Sequence, residues 1–139
     1  MRLATMTEGA MTGWILAVLG LFVVQTFLPS AMRARSGEDE QIAFLRSNRD
    51  ARPPAPVMAG RMERALGNML EALPVFLPLA LLAEIRGIED GWALTGAAVF
   101  FFARLAYVPA YAIGIPLLRS AVWTVGLAGL VMMVVGVLG

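Results

Sequence analysis

Four stretches of this sequence are apolar and long enough to cross a membrane, and they constrain the fold more than any other feature. They run from about residue 10 to 32, 60 to 86, 92 to 113 and 117 to 138. About 20 helical residues span the roughly 30 Å hydrocarbon core of a bilayer, because each residue of an α-helix adds about 1.5 Å. The sequence therefore predicts an all-α membrane protein, a four-transmembrane-helix bundle that forms one integral membrane domain over residues 1–139, with a loop at 33–59.

Composition agrees with a membrane protein and excludes several kinds of site. Hydrophobic residues make up 59% of the chain and charged residues 15%, whereas about 25% of a typical soluble domain is charged. The chain has no Cys and no His, which excludes disulfides, a thiol nucleophile of its own and most zinc chemistry. We therefore expect no metal site, and the net charge of +1 gives no indication of a nucleic-acid partner.

The first apolar run is open to two interpretations. A single Arg before it and Pro29-Ser30-Ala31 after it are typical of a signal peptide. The run is longer than the usual apolar region of such a peptide, however, and Arg33 and Arg35 follow it at once, as at a membrane exit. We expect a retained first transmembrane helix.

Proline and glycine predict kinks and turns in and between the other segments. Pro74 and Pro78 interrupt the second predicted helix and indicate a kink, which a membrane bundle tolerates. The stretch 87–91 predicts a tight turn, and Gly114-Ile115-Pro116 ends the third helix. The loop is expected to contain a short helical turn at 42–46.

The last two helices carry a run of three aromatic residues and several small ones. We expect the run 100–102, which is Phe-Phe-Phe, to face lipid rather than to line a cofactor site. Gly126, Gly129 and Gly136 are small enough to let neighbouring helices approach closely.

The placement of arginine predicts the orientation in the membrane. The loop after the first helix carries Arg33, Arg35, Arg46, Arg49 and Arg52. The third connection leads into Arg119, and the positive-inside rule places both Arg-bearing connections in the cytoplasm. The charges on the opposite side are Arg2, Glu8, Glu84, Arg86, Glu89 and Asp90. Both termini are then expected on that opposite side, and in a bacterium the membrane is expected to be the inner one.

Polar side chains recur at helical spacing where the loop enters the second helix. Arg61, Arg64, Asn68 and Glu71 are separated by three, four and three residues. At roughly 100° per residue, this spacing keeps all four on one face of a helix. An apolar helix with one charged face is expected to direct that face at a ligand or a neighbouring helix.

The third and fourth helices bring more polar groups to the same end of the bundle. Arg104, Tyr107 and Tyr111 share one face of the third helix, and Arg119 and Ser120 open the fourth. Arg104 lies about ten residues before the end of its helix, hence about 15 Å deep at 1.5 Å per residue. A cation at that depth costs about 2.5 to 3.5 kcal/mol on insertion scales and needs a partner.

Glu71 lies at a similar depth on the antiparallel second helix, so we expect it to pair with Arg104. One carboxylate cannot also balance Arg61, Arg64 and Arg119, and the surplus of positive charge predicts an anionic ligand. The alternative for Arg61 and Arg119 is solvation or contact with lipid phosphates.

Three segments together resemble a known family. RMERALGNMLEALPVF, FARLAYVPAY and LRSAVW are similar to motifs of the membrane-associated proteins in eicosanoid and glutathione metabolism (MAPEG), which include microsomal glutathione transferases, leukotriene C4 synthase and microsomal prostaglandin E synthase. The resemblance covers roughly residues 61–123. It implies a four-helix bundle that assembles as a homotrimer and binds glutathione, as co-substrate, at subunit interfaces in the cytoplasmic half of the membrane.

The resemblance also implies roles for individual residues. Glutathione binding is implied for Arg64, Asn68, Glu71, Arg104, Tyr107 and Tyr111. Arg61 is a further candidate for glutathione binding because it shares their helical face and contributes to the surplus of positive charge. Arg119 corresponds to an Arg implicated in stabilising the thiolate, and Ser120 to a Ser beside it, so both are implied to be catalytic. The first-helix residues Arg33 and Arg35 are candidates for a further cation, but nothing in the sequence fixes which of them joins the site.

Four positions depart from the relatives. Gly67 replaces an Arg and Leu66 replaces a His or Gln. Tyr107 replaces the His of the prostaglandin synthase but agrees with leukotriene C4 synthase, and Trp123 replaces a Tyr. These departures leave the electrophile unspecified, so detoxifying conjugation or peroxide reduction is a more general expectation than eicosanoid synthesis.

Three classes of function follow from these observations. The leading hypothesis is a glutathione-dependent membrane transferase, with peroxidase activity as an additional expectation, in which the thiolate attacks a lipophilic small molecule. The second is a non-catalytic lipid-binding scaffold similar to the 5-lipoxygenase-activating protein. The third is a small channel or transporter subunit that uses the same charges as an ion path.

Overall fold

The computed structural model describes residues 9–139, and within that range every regular element is a helix. The elements are α1 (Ala10–Arg35), α2 (Asp39–Arg46), α3 (Val57–Ile85), α4 (Trp92–Ile113) and α5 (Pro116–Leu138). Helices α1, α3, α4 and α5 are long and apolar enough to span a membrane. The predicted all-α architecture with four such helices is confirmed. Arg2 and Glu8, which entered the argument on orientation, lie outside the described residues.

The observed helix ends differ from the predicted ones by a few residues. α1 continues past residue 32 to Arg35, and its last turn is basic, which complements the negative end of the helix dipole. α3 begins at Val57 rather than at residue 60, directly after Pro56. The helical turn expected at 42–46 is a helix of eight residues, α2, with acidic residues in its first turn and Arg46 in its last.

α3 remains one helix through Pro74 and Pro78. Each proline lacks the amide hydrogen that would bond the carbonyl four residues earlier. Helices in a membrane bundle tolerate this loss when neighbouring groups satisfy the freed carbonyl. The prolines therefore do not end the helix, and the kink stays a prediction.

The two predicted breaks are confirmed. Gly87 and Gly91 both have positive φ in the connection between α3 and α4. Gly114 adopts the left-handed conformation that commonly ends a helix, and Pro116 is the first residue of α5.

α4 and α5 pack closely because small residues lie at their contact. A β-carbon added to Gly129 would lie 2.7 Å from the Phe100 nitrogen, and one added to Gly136 would collide with Ala93. At Gly126 the nearest atom would be the Ala103 β-carbon at 3.6 Å, which is an ordinary contact. Close approach is thus confirmed at two of the three predicted glycines.

α1 packs along α3 and shares one hydrophobic core with α3, α4 and α5. Met11 and Val18 of α1 are fully buried in the same cluster as Met69 of α3 and Met133 of α5. α1 is therefore a structural member of the bundle.

The aromatic run at 100–102 does not face lipid as a unit. Phe100 is fully buried and stacks on Phe76 with ring centroids 4.7 Å apart. Phe101 packs against Trp14, and only Phe102, 57% exposed, is largely open. The prediction was wrong for Phe100 because three consecutive helical residues cover about 200° of the helix, so one of them points inward.

Candidate functional site

Arg61 caps the end of α4. Its Nη1 donates a hydrogen bond to the carbonyl oxygen of Ala112, 2.7 Å away. The guanidinium also lies against Gly114, where an added β-carbon would be 2.6 Å from Nη2. A cation at this position complements the negative end of the α4 dipole and satisfies a carbonyl of its last turn.

Two guanidinium groups flank the ring of Tyr111. Arg64 Nε donates a hydrogen bond to the Tyr111 hydroxyl at 3.1 Å, and its guanidinium carbon lies 5.6 Å from the ring centroid. The Arg119 guanidinium carbon is 5.0 Å from the same centroid. The cationic cleft, of about 200 Å³, is lined by Arg61, Arg64, Ala110, Tyr111, Gly114, Ile115 and Arg119.

Arg104 of α4 is buried against α3 and against two aromatic side chains of its own helix. It is 4% exposed, and its Nη1 donates to Asn68 Oδ1 at 2.5 Å. Its guanidinium carbon lies 5.3 Å from the Tyr107 ring centroid and 5.4 Å from that of Phe100. The buried Nε has no hydrogen-bond partner among residues 9–139.

The predicted ion pair between Arg104 and Glu71 is wrong. Among residues 9–139, no carboxylate lies within salt-bridge distance of Arg104. Its guanidinium is held by two aromatic rings and by Asn68, which precedes Glu71 by almost one helical turn. Glu71 is itself exposed. The deep cation is therefore hydrogen-bonded rather than neutralised.

Two further clefts continue from the cationic cleft, one after the other. The central cleft, of about 490 Å³, is lined by Asn68, Tyr107, Tyr111, Arg119, Ser120, Trp123 and Thr124. The apolar cleft, of about 160 Å³, is lined by Asn68, Glu71, Ala72, Val75, Arg104, Trp123, Leu127 and Leu130. The central cleft shares Tyr111 and Arg119 with the cationic cleft, and Asn68 and Trp123 with the apolar cleft. The three form one continuous surface that passes from charged to hydrophobic.

All nine predicted site residues line this surface. They are Arg61, Arg64, Asn68, Glu71, Arg104, Tyr107, Tyr111, Arg119 and Ser120. Four of them are guanidinium groups and one is a carboxylate. The salt bridges of residues 9–139 are Arg33–Glu63 and Arg52–Glu63, and neither involves the clefts. The surface thus carries uncompensated positive charge, which can bind an anion at several points.

The first-helix arginines do not join this surface. Arg33 is buried against the loop and Glu63. Arg35 lines a separate groove with Met32, Ser36, Pro56 and Met58.

A family model described as "MAPEG family" matches residues 11–139. The chain belongs to the MAPEG family. No curated protein matches it significantly. MAPEG membership and the four apolar helices make it an integral, multi-pass membrane protein.

MAPEG membership supports a role in glutathione-related transfer or lipid metabolism in general. The family generally uses glutathione, and it includes glutathione transferases as well as proteins that are not enzymes. The resemblance read from the sequence is therefore confirmed at the level of the family.

Three polar residues of this MAPEG chain escaped the sequence analysis. Thr124 lines the central cleft and donates a hydrogen bond to the Ser120 carbonyl oxygen at 2.9 Å. Glu63 binds two arginines. Gln25 is buried, and its Oε1 has no hydrogen-bond partner in the described part of the chain. The sequence did offer a signal for two of them. Gln25 is a single amide in an apolar run, and Glu63 is a carboxylate between two arginines.

Proposed function

We propose that this protein is a glutathione-dependent membrane transferase in which the glutathione thiolate attacks a lipophilic electrophile. The observation that carries the proposal is the convergence of four guanidinium groups, from Arg61, Arg64, Arg104 and Arg119, with one carboxylate on a continuous surface. Reduction of lipophilic peroxides by the same thiolate is a second activity of the same site.

Glutathione is complementary to this charge pattern. It carries two carboxylates, one ammonium and one thiol. The exposed Arg64 and the neighbouring Arg61 can each hold a carboxylate, since a guanidinium presents two parallel donors to one. Glu71 is the carboxylate available for the ammonium, and the Asn68 amide can bond the peptide groups.

Arg119 stabilises the glutathione thiolate by lowering the pKa of the thiol. A free thiol has a pKa near 8.5 and is mostly protonated at neutral pH. A cation within about 4–6 Å favours the charged form and lowers such a pKa by about 1 to 3 units. The thiol proton leaves to water, the thiolate forms a bond to the electrophilic carbon, and the leaving group departs with the bonding electron pair. We assign to Ser120, which lines the central cleft with Arg119, the donation of a hydrogen bond to the thiolate.

The electrophile enters from the hydrophobic end. Val75, Leu127 and Leu130 line the apolar cleft, and Trp123 lines both this cleft and the central one. A lipid-soluble molecule dissolved in the bilayer therefore meets apolar side chains first and the thiolate at the boundary between the two clefts.

The assembly and the orientation are part of the proposal. The chain forms a homotrimer with the site facing the cytoplasm and both termini on the opposite side, in the inner membrane in a bacterium. Exposed apolar side chains such as Leu16, Phe27 and Val131 supply surface for lipid and neighbouring subunits.

Turnover with a chromogenic dinitrophenyl halide tests the transferase activity. The wild-type protein, purified in detergent, is expected to release halide and form the glutathione thioether. Arg119→Ala is expected to lower the rate about 8- to 25-fold at neutral pH, because a thiol pKa that rises by about one to two units to near 8.5 leaves only about 3% of the thiol ionised. Arg46→Ala, which removes an exposed charge on α2, is the control and is expected to behave as wild type.

A non-catalytic lipid-binding scaffold is the second candidate. The observation in its favour is the hydrophobic end of the surface, which can hold an apolar ligand without any chemistry. In a scaffold, Arg119→Ala would leave ligand binding intact, and the wild-type protein would form no thioether. Thioether formation that depends on Arg119 decides for the transferase.

A further inference from the structure

One buried guanidinium, that of Arg33, holds the loop between α1 and α3. Arg33 is 2% exposed although it lies in the last turn of α1. Its Nη1 donates to Gln41 Oε1 at 2.5 Å and to the Pro53 carbonyl oxygen at 3.4 Å. Its Nη2 donates to Glu63 Oε1 at 3.1 Å. A single side chain thus connects α1 to α2, to the proline segment and to α3.

Further contacts support these connections. Gln41 Nε2 donates to the Pro54 carbonyl oxygen at 2.8 Å, so both ends of the Gln41 amide are used. The Arg33 guanidinium carbon lies 5.1 Å from the Phe44 ring centroid. Arg52 forms a second ion pair with Glu63. We call Arg33, Gln41, Arg52 and Glu63 the loop clamp.

The loop clamp acts on the turn of α3 that carries the first two site arginines. Glu63 lies between Arg61 and Arg64 in the sequence. Successive residues of a helix are about 100° apart, so Glu63 projects toward α1 and the loop while Arg61 and Arg64 project toward α4. Fixing Glu63 therefore fixes the rotation and position of the two arginines on the other side of the same turn.

The packing of buried residues such as Ala59 and Met62 holds this end of α3 together with a small set of polar contacts. The helix begins after Pro56 without a side-chain cap, and the first residue, Val57, is 71% exposed. On the α4 side, the hydrogen bonds of this turn are those of Arg61 to Ala112 and Arg64 to Tyr111. These are the contacts that a charged ligand would compete for, whereas the loop clamp lies away from the clefts.

On the basis of the proposed function, we propose that Arg33 and Glu63 are positioning residues for glutathione. They place Arg61 and Arg64 without touching the tripeptide. Loss of the clamp then weakens capture of the glutathione carboxylates and leaves the chemistry at sulfur, near Arg119, unchanged.

Single and double substitutions test this role by steady-state kinetics. Arg33→Gln and Glu63→Gln are each expected to raise the KM for glutathione about tenfold, with kcat within about twofold, as expected for misplacement of a binding group. The double variant is expected to raise the KM by less than the product of the two single effects, because both changes remove the Arg33–Glu63 contact. Arg35→Gln is the control and should retain the wild-type KM, because Arg35 is an exposed residue of the same helix turn whose side chain forms no hydrogen bond within residues 9–139.

The ultraviolet absorbance of the bound thiolate separates positioning from direct contact. The pKa of bound glutathione is expected to be the same in Arg33→Gln as in wild type. A raised thiol pKa together with a lowered kcat would place Arg33 on the sulfur and overturn the proposal. An unchanged KM in both single variants would overturn it as well.

Hydrogen exchange tests the clamp without any ligand. Backbone amides of residues 60–64 are expected to exchange faster in Glu63→Gln than in wild type, and in Arg35→Gln they should not. Unchanged exchange in Glu63→Gln overturns the clamp. Because this measurement needs only Glu63→Gln, it still tests the clamp if Arg33→Gln does not fold. If the wild-type protein binds no glutathione but Glu63→Gln still exchanges faster than wild type, the proposed function and the positioning role are contradicted while the clamp is retained.

Discussion

The side chain of Arg64 on α3 donates a hydrogen bond to the hydroxyl of Tyr111 on α4, with 3.1 Å between Nε and Oη. This bond joins the two helices at the charged end of the clefts. The Arg119 guanidinium lies over the ring of the same tyrosine. Tyr111 therefore fixes the spacing between two cations, of which the proposed function assigns Arg64 to a glutathione carboxylate and Arg119 to the sulfur.

Removing the hydroxyl of Tyr111 is expected to weaken glutathione binding. Tyr111→Phe keeps the ring under both guanidinium groups but frees Arg64 to move. The loss of one hydrogen bond is worth about 0.5 to 1.5 kcal/mol, hence a dissociation constant raised about 2- to 13-fold. Calorimetric titration measures it. A dissociation constant equal to that of wild type would show that this hydrogen bond does not position Arg64.

The rate profile with pH is expected to depend on Arg119. A guanidinium beside the sulfur stabilises the thiolate, so it lowers the thiol pKa, and Arg119→Ala raises that pKa. The variant should lose activity at neutral pH and recover part of it as the pH rises and the thiol ionises. Measurement of kcat against pH checks this. If the kcat profile of Arg119→Ala ran parallel to that of wild type, Arg119 would not be the group that stabilises the thiolate.

The hydrogen bond between Arg104 and Asn68 is expected to stabilise the bundle. Asn68→Leu leaves a buried guanidinium whose Nε already has no partner. An unsatisfied buried group costs about 1 to 3 kcal/mol and more when charged, so the unfolding temperature in detergent should fall. Asn48→Leu, in the exposed loop, is the control. Equal unfolding temperatures for Asn68→Leu and wild type would contradict this role of the amide.

The contact between α4 and α5 is expected to reject a methyl group at one glycine and accept it at another. Gly129→Ala places a β-carbon 2.7 Å from the Phe100 backbone nitrogen, so the helices must separate. Overpacking of this kind costs about 1 to 3 kcal/mol. Gly126→Ala is the matched substitution, because its nearest neighbour would be 3.6 Å away. Thermal unfolding in detergent compares them, and similar losses at both positions would contradict the packing.

The sequence predicted the helices and the residues that line the clefts because both depend largely on local periodicity. The spacing of Arg61, Arg64, Asn68 and Glu71 determines that they share a face, whatever the rest of the chain does. The same reasoning did not identify partners across helices. Asn68 and Glu71 differ by less than one turn in depth, so periodicity could not show that Arg104 bonds Asn68 instead of Glu71.

The loop clamp could not be predicted from helical periodicity either, for a different physical reason. Arg33 and Glu63 are 30 residues apart, and the path of the loop decides whether they meet. Orientation of Phe100 toward Phe76 likewise depends on the rotation of α4 in the bundle, which three consecutive phenylalanines do not reveal.

Calorimetric titration of the purified protein with glutathione tests the central claim most directly. The uncompensated guanidinium groups of the clefts are expected to give measurable heat with millimolar glutathione in the wild-type protein and in Arg46→Ala. Arg64→Ala is expected to abolish that heat, because it removes an exposed cation that binds a carboxylate. A wild-type protein that gives no heat at these concentrations would contradict glutathione binding and with it the transferase.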